Sequence, residues 1–271
     1  MDKKQQLKLK QLEEKGYMIP TSSMIKSEKD IIKIRKAAKV NSGLLDYIGE
    51  NICAGMSTAQ IDKMAVEYTH EHGGVCADYQ YEDYPKSICT SINDVVCHGI
   101  PNDDDILCEG DIINIDATTM VDGYYADASR MYMIGEVSQK ARRLVEVTKE
   151  CLYKGIEAII PYQSKVGDIG KAIEKYALKN GYSVVKEFCG HGIGYDLHED
   201  PYVYHYNPKI DTVVLVPGML ITIEPMINEG KADVCLEEGD DWTVYTLDGS
   251  LSAQWEHTLL IKEDGVEIIS R

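Results

Sequence analysis

The runs GDIINIDAT (110–118) and DGYYADASRMY (122–132) decide how this chain folds. Both are rich in the branched and aromatic residues that suit a pleated surface. Between them lies Asp122-Gly123, the strongest short-range hairpin signal. A two-residue turn there sets Asp116 opposite Ser129, and Asp127 shares the parity of Ser129. Both aspartates therefore project from one face as diagonal neighbours, about 7–8 Å apart at the backbone, so their carboxylates can converge.

Working outward, Ser27-Glu28-Lys29-Asp30 has the form of a capping box and opens a helix to about Glu50. Ser57 to Gln60 is a second box, and its helix runs to Gly73, a glycine terminator. The pattern returns roughly 108 residues later, as it would in a duplicated unit. Lys140 to Ile160 reads as a long helix broken by Pro161, and Asp168 opens another that ends at Gly181. Ile61 and Gly73 are 12 residues apart, as are Ile169 and Gly181. Arg35 and Arg142 fall at matching points of the first helices. Strands follow each helix pair: the hairpin in the first half, LITIEPMI (220–227) and QWEHTLLI (254–261) in the second. The expected class is α+β, two pseudo-symmetric helix-helix-strand halves with helices covering a curved antiparallel sheet.

Residues 1–22 read as a basic N-terminal extension, in which Leu7, Leu9 and Leu12 form a weak amphipathic helix stopped by Gly16 and Pro20. Residues 23–271 read as one domain, within the range that α/β and barrel-like folds reach as a single unit. No run of about 18 apolar residues is present, so no membrane helix is expected, and the polar start lacks the apolar core of a secretory signal. A cytoplasmic protein follows. The eight cysteines form no CxxC pair, so the expectation is free thiols, mostly in the core. Net charge is −17, yet residues 1–40 hold eleven Lys or Arg against five Asp or Glu. An acidic body argues against wrapping duplex nucleic acid, and the basic front end suits an anionic surface.

Chemistry concentrates at His98, Asp116, Asp127, His191, His198, Glu224 and Glu256. Glu224 sits in an apolar run without an obvious counter-charge, and Glu256 lies between Trp255 and His257. Carboxylates in apolar strands are costly unless paired or bound to metal. One of them could be a structural hydrogen-bond acceptor; four, with several histidines, make that reading weak. Four carboxylates bring −4, which two divalent cations balance. An oxygen-rich set with one imidazole suits Mn(II), Fe(II), Co(II) or Zn(II), unlike the thiolate sets of structural zinc. Two such ions activate water and polarise a carbonyl, which is hydrolase chemistry. His191 stands among Gly190, Gly192 and Gly194, and the glycines allow close backbone approach.

At these residues the sequence resembles the type I methionine aminopeptidases of the pita-bread fold. The matching segments are YPKSICTSINDVVCHGIP (84–101), the two hairpin runs, CGHGIGYDLHEDP (189–201), PGMLITIEPMI (217–227) and SLSAQWEHTLLI (250–261), and the likeness covers residues 23–271. The resemblance implies that Asp116 is a ligand of one metal, Asp127 and Glu256 bridge both, and His191 and Glu224 hold the other. It implies that His98 and His198 contact the substrate amide and the developing tetrahedral centre, and that Glu224 also shuttles a proton. Tyr81, Tyr84, Cys89, Leu197 and Trp242 correspond to the lining of a methionine pocket. Two positions depart from the family pattern: Asp78, where a small or apolar residue is expected, and Leu197, where the family often has Phe.

The implied activity is removal of the N-terminal methionine from nascent polypeptides, with preference for a small second residue. Implied partners are nascent peptide N-termini, with a transient ribosome contact through the basic N-terminus, no membrane, and a monomeric state. Two rivals share the fold: an Xaa-Pro-specific peptidase and a pita-bread binding protein without catalysis. The rivals fit less well. Proline-specific relatives usually carry a large extra N-terminal domain, and non-catalytic relatives should have lost metal ligands, whereas all five are present.

Overall fold

The computed structural model describes residues 3–271. Five α-helices are present among them: α1 (Lys3–Glu14), α2 (Glu28–Asn51), α3 (Thr58–Glu71), α4 (Gln139–Glu157) and α5 (Val166–Lys179). In the first half the strands are β1 (Val75–Cys76), β2 (Cys89–Ile92), β3 (Val95–Cys97), β4 (Ile112–Val121) and β5 (Tyr124–Met133). In the second they are β6 (Ser183–Val184), β7 (Gly190–Gly192), β8 (Glu199–Val203), β9 (Leu220–Ile223), β10 (Met226–Asn228), β11 (Val234–Leu236), β12 (Val244–Thr246), β13 (Ser252–Gln254), β14 (His257–Lys262) and β15 (Gly265–Ser270).

The helix starts follow from their caps. Ser27 accepts from Asp30 N–H at the head of α2. Ser57 and Gln60 form both bonds of a capping box at the head of α3, at 3.2 and 2.9 Å. The expected start of α5 at Asp168 is corrected. The helix begins at Val166, and Asp168 is its third residue, reaching back to accept from Lys165 N–H at 2.9 Å. The long helix α4 likewise stops at Glu157, before Ile160.

The β4–β5 hairpin has the register read from its turn: Asp116 pairs with Ser129 and Thr118 with Asp127. The other edge of β4 takes β2 and β1. A five-stranded ladder runs β15-β14-β9-β7-β8, and two three-stranded ladders run β13-β10-β6 and β11-β12-β3. Every ladder is antiparallel. The two long strands expected at 220–227 and 254–261 are each interrupted. Ile223 pairs with His257 and Met226 with Gln254, while Glu224-Pro225 and Trp255-Glu256 lie between. Pro225 cannot donate to a ladder, and both chains leave the sheet at one level.

The two largest apolar clusters lie mainly in one half each. Leu44, Leu45, Ile48, Ile61 and Ala65 pack on Ile113, Ile115 and Ala128. Leu144, Val147, Cys151, Ile169 and Ile173 pack with Ile221, Ile223, Ile227 and Leu259. Leu9 of α1 joins this second cluster, Gln5 donates to Pro217 O at 2.7 Å, and Lys8 pairs with Glu263 at 2.9 Å. All eight cysteines are free. Only Cys89, Cys97 and Cys151 are buried, while Cys53, Cys108 and Cys235 are exposed, so the expectation of mostly core thiols is corrected.

Candidate metal centre and active site

Asp116 and Asp127 come from the hairpin, His191 from β7, and Glu224 and Glu256 from the paired strand interruptions. An uninterrupted strand would alternate its side chains across the sheet. Leaving the ladder frees both glutamates to turn toward the hairpin. The hairpin and β14 are tied at this level. Asp127 N–H donates to Thr258 Oγ1 at 3.1 Å, Thr258 Oγ1 donates to Asp127 O at 2.6 Å, and Glu256 N–H donates to Ser129 O at 3.1 Å.

Asp127, Glu224 and Glu256 are 6%, 8% and 1% exposed. One ligand atom from each of Asp127, His191 and Glu256 lies within 4.8 Å of the others. His191 Nε2 is 3.8 Å from Asp127 and 3.6 Å from Glu224. Its Nδ1 donates to Gly192 O at 2.9 Å, which leaves a lone pair on Nε2 facing the carboxylates. Burial pushes this imidazole down to about 3, so it is neutral. Thr222 Oγ1 accepts from His191 N–H at 3.0 Å and donates to Glu224 at 2.8 Å, fixing both at once. Glu224 N–H donates to the buried His205 Nε2 at 3.1 Å, and Gln254 donates to the glutamate's other oxygen at 3.3 Å.

Burial pushes the carboxyls up, Asp127 to about 6 and Glu224 to about 8, with the charge of Asp127 adding to the latter. Asp116 and Glu256 lie well above the usual range for the same reasons. No Lys or Arg lines the cavity among the described residues. Asp127 Oδ1 and Glu256 Oε1 are buried without a hydrogen-bond partner. Orphaned buried oxygens are rare in folded proteins and call for a proton or a cation. Oxygen donors with one neutral imidazole fit a divalent transition ion, so the residues present suit a metal centre.

The remaining candidates line the same cavity of ≈ 160 Å³: Tyr81, Tyr84, Cys89, His98, Leu197, His198 and Trp242. His198 Nδ1 meets Tyr81 Oη at 2.8 Å, and its ring stands edge-on to His191, centroids 4.3 Å apart. His98 adopts φ 56° and packs edge-on to Phe188 and Trp242. Around Tyr81, Gln80, Glu82 and Asp83 also have positive φ, and such strain clusters at functional sites. Tyr84 does not offer its hydroxyl to the cavity: it donates to Ile88 O and Gly99 O at 3.1 and 3.0 Å.

Asp78 also faces this space. Its two oxygens accept from Thr118 N–H at 2.9 Å and Thr118 Oγ1 at 3.0 Å, which partners the unexpected acid. Sequence reading missed Thr118, Thr222, His205 and Gln254. Thr118, Thr222 and Gln254 each carried a signal, standing two residues from Asp116, Glu224 and Glu256 in the same strand segments; His205 carried none. A second cavity of ≈ 550 Å³ shares Tyr81, His98, His191, His198 and Glu224 and extends past Phe188, Tyr202 and Met226.

The chain belongs to metallopeptidase family M24, whose sequence model matches residues 32–263. Within that family its relatives are methionine aminopeptidases. It is 47% identical over 244 residues to methionine aminopeptidase A of Synechocystis sp., covering 90% of this chain and 96% of the relative. The crystal structure of methionine aminopeptidase from Rickettsia prowazekii matches with a TM-score of 0.89 at 46% identity, over 94% of this chain and 100% of that one. Prolidase from Pyrococcus furiosus matches at 0.70 and 22% identity, over 92% of this chain and 65% of its own, a likeness of fold alone. The antiparallel ladders and paired halves are thus those of the pita-bread fold. No helix among the described residues is long and apolar enough to cross a membrane.

Proposed function

We propose that this enzyme is a dinuclear, metal-dependent aminopeptidase that removes methionine from the N-termini of nascent polypeptides. The observation that carries the reading is the convergence of Asp116, Asp127, His191, Glu224 and Glu256 beside a small cavity walled by aromatic and thiol side chains. In this reading Asp116 would hold one ion, His191 and Glu224 the other, and Asp127 and Glu256 would serve both; this donor set would suit Mn, Fe, Co or Zn. When bound, such a pair lowers the pKa of water and polarises a carbonyl. The small cavity takes the first side chain, and the larger one takes the chain that follows. Tyr81 O–H donating to His198 Nδ1 leaves Nε2–H free to stabilise an oxyanion. His98 holds the substrate amide, and Glu224, beside the centre, carries a proton to the leaving amine.

Residues 23–271 form the catalytic domain in this reading, and residues 1–22 an extension. Lys3, Lys4, Lys10 and Lys15 are exposed on or just after α1, and we assign that basic face to a transient ribosome contact. The protein acts in the cytoplasm, as a monomer. The test is cleavage of peptides with varied first and second residues, across Mn(II), Fe(II), Co(II) and Zn(II). Met-Ala, Met-Gly and Met-Ser peptides are expected to be cut well, Met-Lys and Met-Phe poorly, and amine-blocked peptides not at all. Efficient cleavage of Xaa-Pro peptides lacking methionine would replace this reading with the proline-specific one.

A further inference from the structure

Lys26 is the most deeply buried cation described in the chain's ion pairs, its side chain only 1% exposed. A lysine is almost never fully buried unless paired, because taking an ammonium out of water is costly. Its partner is Glu199, side chain 13% exposed, the residue immediately after His198. The same ammonium donates to Ser23 O at 3.0 Å and lies 4.3 Å from the centroid of the Tyr195 ring. Glu199 in turn uses its other oxygen to accept from Tyr195 N–H and Asp196 N–H, at 2.6 and 3.1 Å. The carboxylate thereby closes the turn Tyr195–Glu199, and Lys26 anchors that carboxylate from outside.

The anchor is itself held on the body. Lys26 N–H donates to Gly218 O at 2.8 Å, and Ile25 bridges to Met219, at the foot of β9. The fit is close: a Cβ at Gly194 would come within 2.9 Å of Lys26 Cε and of Ile34 Cδ1. Segment Ser23–Lys26 precedes the region matched by the family model and lines neither cavity; its partner Glu199 lines the larger one.

We infer that Lys26 is a positioning residue for His198, acting through Glu199: the buried ion pair sets the turn that aims the imidazole over the metal centre. The inference rests on the role assigned to His198 above. It needs no contact between Lys26 and substrate. The turn between Gly194 and Glu199 has no ladder partner at His198 itself; β7 ends at Gly192 and β8 begins at Glu199. The imidazole is fixed by Tyr81 Oη on one side and by the turn on the other, so a turn that relaxes shifts it. A displacement of about 1 Å at such a group can cost on the order of 100-fold in rate.

The test is a double-mutant cycle on the full-length, metal-loaded enzyme with a Met-Ala-Ser peptide. Lys26→Met should lower kcat by ~10–100-fold with KM and metal content little changed. His198→Ala should lower kcat by roughly 10²–10³-fold. The double variant should be no slower than His198→Ala alone, because the lysine then has nothing left to position. Lys26→Met leaves Glu199 buried and unpaired and so loses stability. The variant Lys26→Met/Glu199→Gln removes both charges, keeps the turn acceptor, and should recover most of kcat. Multiplying effects in the cycle would overturn the inference, as would a Lys26→Met enzyme that is less stable yet turns over normally. If His198→Ala has normal turnover, both the inference and the role of His198 fall; failure to cut any Met-peptide would instead remove the functional reading.

Discussion

Asp78 shows how a single residue can break a pattern and still be accommodated. Burial and the charge of Asp127 push its carboxyl up to about 8, and Thr118 supplies a donor to each oxygen. The wall it contributes is still polar where the proposed substrate presents a thioether. A carboxyl facing a thioether loses water without a matching gain, whereas a thiol is soft and polarisable. Asp78→Cys should therefore raise kcat/KM for Met-peptides several-fold. It should also lower Tm by a few degrees, since Thr118 N–H loses its acceptor, a cost of about 1–3 kcal/mol. Steady-state kinetics and a thermal melt read the two effects separately. Unchanged kinetics would place the carboxyl out of the substrate's reach.

At the scale of elements, the β4–β5 hairpin fixes two of the five proposed metal ligands, and its turn fixes the hairpin. Asp122 and Gly123 have φ 53° and 78°, the left-handed pair that a two-residue turn of matching twist requires. Gly123→Val puts a branched residue where φ is positive, which costs about 1–2 kcal/mol. The ten paired residues of β4 and β5 hold the register without help from the tip. The expected outcome is a Tm lower by a few degrees with metal affinity and kcat unchanged, checked by calorimetry and metal titration. A folded variant that no longer binds metal would mean that the turn, not the ladder, sets the positions of Asp116 and Asp127. The strand interruptions at Glu224 and Glu256 are the complementary device. There the ladder is broken so that two glutamates can leave it.

Across the whole molecule, the two halves close on a cluster of acids that repel one another. Asp127 and Glu224 stand at about 6 and about 8, above their ordinary values of 3.8 and 4.5. Below about pH 6.5 the buried histidines His98, His191, His205 and His257, all lowered by burial, offset this by staying neutral in the fold. From roughly pH 6.5 to 8 the carboxyls decide: the folded metal-free protein binds more protons than the unfolded chain, so its stability falls as pH rises through that window. Bound cations would replace those protons. Chelator-treated protein should melt lower at about pH 8 than at about pH 6.5, and Mn(II) should raise Tm more at the higher pH. A melt that rises with pH across that window in the absence of metal would contradict the origin assigned to these shifts. Much of this architecture was legible beforehand because its causes are local. The turn at Asp122-Gly123, the caps at Ser27 and Ser57 and strand parity depend on neighbours in sequence, and they sufficed to place the helix pairs and to aim Asp116 and Asp127 together. The resemblance then named the remaining candidates. What only the tertiary structure decided depends on contacts between distant segments. It split the strands at Glu224-Pro225 and Trp255-Glu256, because Glu224 and Glu256 turn toward a hairpin about a hundred residues away, a pairing that local pattern cannot encode. It gave Asp78 its partner in Thr118, and it buried Lys26 against Glu199, since the burial of a charge is set by what the rest of the chain brings to it.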